Sequence, residues 1–127
     1  MNLDKLRGQH LLIVEDEYFL AQDMAEYFQS VGMQVLGPVG TVADALKLVA
    51  SSEVQAAVLD VNLRGERVYP VADLLRQRGV PFVFASGYGG ELEPDIYADI
   101  PRCIKPVDLG TLAGTLAKQM HAAKNYV

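Results

Sequence analysis

The stretch Leu11-Leu12-Ile13-Val14-Glu15-Asp16 sets four apolar residues directly against two carboxylates. The arrangement returns three times. Ala56-Ala57-Val58-Leu59 runs into Asp60, Pro81-Phe82-Val83-Phe84-Ala85 into Ser86, and Ile104 into Lys105-Pro106. Short continuous apolar runs bounded by loops read as strands buried on both faces, the pattern of a parallel sheet. In an open parallel sheet the binding crevice lies beyond the carboxyl ends of the strands. Three carboxylates, a hydroxyl and an ammonium are therefore expected at one edge.

That grouping narrows the chemistry to a metal-assisted phosphoryl site. Two carboxylates about 4 Å apart repel by about 4 kcal/mol at an effective dielectric near about 20. Three of them require a cation, and an open site of oxygen donors suits Mg²⁺ or Mn²⁺. Asp60 would be the nucleophile, since a carboxylate can take a phosphoryl group as an acyl phosphate. Lys105 is a compact charge suited to one phosphoryl oxygen, and the Ser86 hydroxyl can donate to another. Each residue also has a plainer reading. An acidic pair after a strand suits the amino terminus of the next helix, and Ser86-Gly87 or Asp60 alone suits a turn. The ordered set, not any single residue, favours the site.

Strands and helices alternate along the rest of the chain. Tyr18–Val31 carries Leu20, Met24, Tyr27, Phe28 and Val31 at helical spacing, and Gly32 is placed to end it. Met33–Leu36 reads as a second strand closed by Gly37-Pro38. Thr41 caps a helix with Asp44 three residues on, and Val42, Ala45, Leu46 and Val49 form its apolar face. A third helix buries Val68, Val71, Ala72 and Leu75 and stops at Gly79, with Pro70 tolerated near its first turn. The stretch from Glu91 to Asp99 is poorly patterned and reads as a short or frayed helix. Arg102–Ile104 is the fifth strand, and Asp108 caps a last helix with Leu112, Ala113, Leu116, Ala117 and Met120 on one face. Five βα units predict an α/β fold, an open parallel sheet with helices on both faces.

The chain has 127 residues, enough for one domain with a sizeable core. Half its residues are apolar and the net charge is −5, which disfavours a nucleic-acid surface. Cys103 is the only cysteine, so an intrachain disulfide is impossible and a reducing compartment is expected. No stretch has the length of a signal peptide or a membrane span. The reading is a cytoplasmic protein without a membrane segment.

The ordered pieces LLIVEDE (11–17), VLDVNLRGE (58–66), FASGY (84–88) and IKP (104–106) resemble the receiver domain of two-component response regulators. The resemblance spans about residues 9–123 and implies one receiver domain over 1–127 with no output domain. It implies a flavodoxin-like doubly wound (βα)5 fold with strand order 2-1-3-4-5. By it, Asp60 is the phosphoacceptor, and Asp16 and Asp60 hold Mg²⁺ directly. Glu15 acts through a coordinated water, and Asn62 adds its backbone carbonyl. Ser86 and Lys105 complete the site, and Lys105-Pro106 is the most family-specific dipeptide. A cis bond there would turn the loop so that Lys105 faces the pocket.

A narrower resemblance lies in PFVFASGYGG (81–90), similar to the PFxFATGY signature of the FAT GUY receivers, many of them stand-alone regulators. Ser86 stands where that signature has threonine. Receivers usually carry an aromatic residue three positions before the lysine, which moves on phosphorylation. Here the position is Arg102, so either that switch is absent or another group such as Tyr88 replaces it.

The implied function is a stand-alone response regulator of the phosphorelay type. It would accept a phosphoryl group from a histidine kinase or a histidine phosphotransferase, and act through a downstream protein or as a phosphate shuttle or sink. Slow self-dephosphorylation would not make it a turnover enzyme. The alternatives are a pseudo-receiver that serves as a protein-interaction module, and an aspartate-nucleophile phosphatase. The latter needs an acid/base aspartate two residues past the nucleophile, where this chain has Asn62.

Overall fold

The computed structural model describes residues 3–87 and 95–124. Five parallel strands, β1 (His10–Val14), β2 (Gln34–Val39), β3 (Ala56–Asp60), β4 (Phe82–Ser86) and β5 (Arg102–Ile104), form one sheet in the order β2-β1-β3-β4-β5. The helices are α1 (Tyr18–Ser30), α2 (Val42–Ser51), α3 (Tyr69–Gln77) and α4 (Leu109–Lys124). This is the flavodoxin-like arrangement, with the chain reversing direction across the sheet at β1 and β3.

Strand alternation sorts the core into two layers. Leu12, Val14, Ala57, Leu59, Phe82 and Phe84 point to one face, where Val42, Ala45 and Val49 of α2 and Val71, Ala72 and Leu75 of α3 cover them. Leu11, Ile13, Ala56, Val58, Val83 and Ala85 point to the other, against Met24 and Phe28 of α1 and Leu112, Ala113 and Leu116 of α4. Every residue of β3 and β4 is buried, which is why these strands read as unbroken apolar runs. Asp60 pairs in register with Ala85, and Ser86 with Ile104, so the polar ends of the strands finish on one edge.

Two caps follow the sequence reading. The Asp44 amide donates to Thr41 Oγ1 at 3.1 Å, and the Thr111 amide to Asp108 Oδ1 at 3.0 Å. Other details differ. α1 buries Ala21, Met24 and Phe28, leaving Leu20 and Tyr27 half-covered, so its buried stripe is rotated slightly from the expected one. β2 runs through Gly37-Pro38 to Val39 rather than stopping before them. As an edge strand it tolerates a proline, and the register with β1 slips between Leu12 and Val14 to absorb the irregularity. A two-stranded antiparallel hairpin, Asn62–Leu63 with Glu66–Arg67, follows β3 and was not anticipated. Within the expected helix over 91–99, the described part is a single 3₁₀ turn, Asp95–Tyr97, with Tyr97 and Ile100 buried and Ile96 exposed. Among the described residues no helix is long and apolar enough to cross a membrane.

Candidate functional site: an acidic pocket at the carboxyl edge of the sheet

β1 delivers Glu15 and Asp16, β3 delivers Asp60, β4 delivers Ser86, and the loop after β5 delivers Lys105. One carboxylate oxygen from each of Glu15, Asp16 and Asp60 lies within 4.8 Å of the others. Glu15, Asp60 and Ser86 are buried, while Asp16 is partly open to solvent. The backbone holds this edge together. The Glu15 amide donates to the Val39 carbonyl at 2.9 Å, and the Lys105 amide to the Ser86 carbonyl at 2.8 Å. Gly40 lets the loop after β2 pass close to Asp16, since a Cβ there would sit 3.3 Å from Asp16 Cα.

The Lys105 ammonium lies 2.9 Å from Glu15 Oε1 and 3.3 Å from Asp60 Oδ2. The Lys105–Pro106 peptide is cis, as the reading allowed, and Pro106 itself is exposed. The second oxygen of each buried carboxylate meets a backbone amide. Glu17 N donates to Glu15 Oε2 at 3.0 Å, and Asn62 N to Asp60 Oδ1 at 3.3 Å. The Ser86 hydroxyl is buried without a hydrogen-bond partner among the described residues. An orphaned donor of that kind is costly unless something arrives to accept from it.

The electrostatics follow from this packing. Burial, and then the charge of Glu15, push the Asp60 carboxyl up to about 7; Lys105 and the Asn62 amide pull the other way without prevailing. Burial disfavours the charge on Lys105, but the contact and charge of Glu15, with those of Asp60, outweigh it and hold the ammonium above the usual lysine range. The pocket therefore carries more negative charge than its single lysine neutralises. Three hard carboxylate donors within reach of one another fit a divalent cation bound through oxygen.

The hairpin brings in a residue that sequence reasoning missed. Asn62 Oδ1 accepts from Gly65 N at 2.7 Å, closing the turn, and Arg64 at its tip places Nε 3.7 Å from Asp16 Oδ2. The signal for it was present as Asn62 and Gly65 three apart, the spacing of a tight turn. Arg102 sits exposed at the start of β5, paired in register with Phe84. Tyr88 lies outside the described residues.

No protein-family model matches the sequence, and no curated protein matches it. Solved structures do. SdrG from Sphingomonas melonis Fr1 is 36% identical, the match covers 98% of this chain and 99% of that one, and the TM-score is 0.75. The BeF3-activated conformation of SdrG matches 90% of this chain and 98% of its own at a TM-score of 0.74. A response regulator receiver protein from Sinorhizobium medicae WSM419, 21% identical, matches 93% of this chain and 98% of its own with a TM-score of 0.78. A parallel five-stranded fold with an acidic pocket at its carboxyl edge, and a relative of this identity over nearly the whole length, settle the class. The chain belongs to the family of response regulator receiver domains.

Proposed function

We propose that this receiver accepts a phosphoryl group from a phosphohistidine onto Asp60 and signals through the change that follows. The observation that carries the reading is the setting of Asp60, a buried carboxylate with a lysine at 3.3 Å and two further carboxylates beside it. In the transfer, the bond between phosphorus and the donor imidazole nitrogen breaks as a bond between phosphorus and an Asp60 oxygen forms. The Asn62 amide and the Lys105 ammonium hold the two oxygens of Asp60 and fix the plane of the carboxylate. Lys105 stands ready to pair with one phosphoryl oxygen, and the Ser86 hydroxyl gains in another the acceptor it lacks. Glu15, Asp16, Asp60 and the Asn62 carbonyl are the groups that would hold Mg²⁺ or Mn²⁺. A bound divalent ion supplies neutralising charge for carboxylate and phosphoryl oxygens at once.

The donor is a histidine kinase or a histidine phosphotransferase, and the output is a protein contact or the movement of phosphate itself. No DNA contact and no membrane attachment form part of this reading, and the protein is placed in the cytoplasm. It is not a turnover enzyme. With Arg102 where an aromatic switch residue is usual, Tyr88 and its loop are assigned the conformational response. That a BeF3-activated conformation of SdrG exists supports the reading, because BeF3 imitates a phosphoryl group on a carboxylate.

The test is incubation with acetyl phosphate and Mg²⁺. A single base-labile phosphoryl adduct is expected, absent in Asp60→Asn and suppressed by chelation. Absence of any adduct on the wild type, from acetyl phosphate and from phosphorylated kinases alike, would leave only a protein-interaction module.

A further inference from the structure

Arg64 occupies a position that its chemistry does not suit. It and Gly65 form the two-residue loop of the hairpin, at φ 53° and 92°. Loops with both central residues at positive φ favour Asn, Asp or Gly at the first place, because an L side chain is crowded there. Arg64 is the one non-glycine residue with positive φ among the described residues. Non-glycine residues held in that region cluster at functional sites, and the inference runs from the outlier to the role.

The side chain shows what the position achieves. Arg64 is 83% exposed, yet its Nε turns back to within 3.7 Å of Asp16 Oδ2, the most open of the three carboxylates. It lines, with Glu15, Asp16, Tyr18, Gln22 and Pro38, a cleft of about 440 Å³ that opens beside the acidic pocket. Lys105 meets the buried side of the cluster through Glu15 and Asp60. The cluster is thus held between an inner cation and an outer one, and only the outer one sits on an exposed stem.

We infer that Arg64 is a second, displaceable cation of this site, which guards Asp16 in the resting protein and serves the incoming anionic phosphodonor once Asp16 is otherwise engaged. The inference rests on the function proposed above. While Arg64 pairs with Asp16 it competes with a divalent ion for the same carboxylate. When Asp16 turns to the ion, the guanidinium loses its partner but stays at the cleft, where its positive charge attracts phosphoryl oxygens. Removing it should therefore move two properties in opposite directions, which a purely structural hairpin residue would not do.

The experiment uses Arg64→Asn, which suits the left-handed backbone better than arginine, and Arg64→Lys, which keeps the charge. Arg64→Asn is expected to retain or raise the thermal midpoint. It should bind Mg²⁺ about two- to fivefold more tightly by calorimetry, the range an exposed ion pair supports. At saturating Mg²⁺ it should react with acetyl phosphate about two- to fivefold more slowly, with Arg64→Lys close to wild type on both measures. Both differences should shrink at about 1 M salt, where the screening length falls to about 3 Å. Arg64→Asn with unchanged Mg²⁺ affinity and unchanged rate would overturn the inference, as would equal losses in Arg64→Lys. If the wild type takes no phosphoryl group, the proposed function fails instead, and the Mg²⁺ affinities alone still judge whether Arg64 guards Asp16.

Discussion

The ammonium of Lys105 stands 2.9 Å from the carboxylate of Glu15, nearer than its 3.3 Å approach to Asp60. In the resting protein the partly buried ammonium thus serves Glu15 before Asp60. Asp60 is left with a longer contact to Lys105 and one backbone amide, and its charge remains the least compensated of the buried pair. On the proposed function, a divalent ion and a phosphoryl group would relieve that shortage of counter-charge.

Lys105→Met tests that distribution of charge. Methionine keeps the stem and removes the ammonium, leaving Glu15 and Asp60 facing each other. Breaking a buried pair by removing one partner costs about 3–5 kcal/mol, and the partial exposure of Lys105 places the expected loss at the low end. Urea unfolding in chelator at neutral pH should show it, and Mg²⁺ should restore part of it. Equal stability of variant and wild type would mean that water already screens the two carboxylates.

The raised Asp60 carboxyl sets a pH dependence with a definite sign. Its folded-state value of about 7 lies above its ordinary 3.8, so the folded protein holds the proton more tightly than the unfolded chain. The stability this group contributes is fully present below about pH 4 and is lost as pH rises towards about 7. The difference in unfolding free energy between wild type and Asp60→Asn, in chelator, should therefore shift in favour of the variant across that window and level off above it. On the proposed function Mg²⁺ should reverse the trend, because it would bind the ionised site. A difference independent of pH would show that Asp60 ionises normally in the folded protein.

Asp16→Asn should weaken Mg²⁺ binding more than Glu15→Gln. Glu15 already spends its charge on Lys105 and the Glu17 amide, whereas Asp16 has, among the described residues, only an exposed guanidinium to exchange for the ion. Loss of a supporting group around a metal costs about 10–100-fold in affinity, and loss of a direct ligand should cost no less. Titration by calorimetry, or by the Mg²⁺-dependent rise in thermal midpoint, reads the two variants side by side. Equal and negligible effects would return the acidic pair to the role of a helix cap.

The sheet was legible because burial on both faces leaves an unmistakable mark, and Ala56–Leu59 or Phe82–Ala85 has no polar residue to suggest anything else. The site was legible for the same reason: a charged residue ending such a run can only lie at a strand end, and the strand order does the rest. β2 was harder. Gly37-Pro38 ordinarily breaks a strand, and only its place on the sheet edge, a property of the tertiary fold, lets it continue. The hairpin after Asp60 leaves little mark in the sequence, because Asn62–Arg67 has no apolar alternation and its turn places arginine where asparagine is expected. The preference of Lys105 for Glu15 is a matter of tenths of an ångström, which no spacing along the chain encodes.

The turn Asp95–Tyr97 was the least well read segment, and its anchoring yields the last prediction. Tyr97 is buried, its ring stacked on Tyr69 at 5.0 Å and set edge-on to Phe84 at 5.7 Å. Its hydroxyl donates to Asp73 of α3, and burial, then that carboxylate, raise the phenol above its ordinary range. Arg76, also on α3, lies over the ring at 5.4 Å and binds the Ile96 carbonyl at 2.7 Å and Asp99 at 2.9 Å. The turn is therefore held by aromatic packing first and by α3 polar groups second. Tyr97→Phe keeps the packing and loses the hydroxyl's bonds to the exposed Asp73 carboxylate and, at 3.3 Å, to the Tyr69 carbonyl, so it should cost about 1 kcal/mol. Tyr97→Ala empties the cluster and should cost about 3–5 kcal/mol. Arg76→Ala, which removes exposed contacts, should cost about 1 kcal/mol or less. Chemical denaturation of the three variants orders them. If Tyr97→Phe proved as damaging as Tyr97→Ala, the hydrogen bond to Asp73 and not the stack on Tyr69 would be what fastens this turn to the sheet.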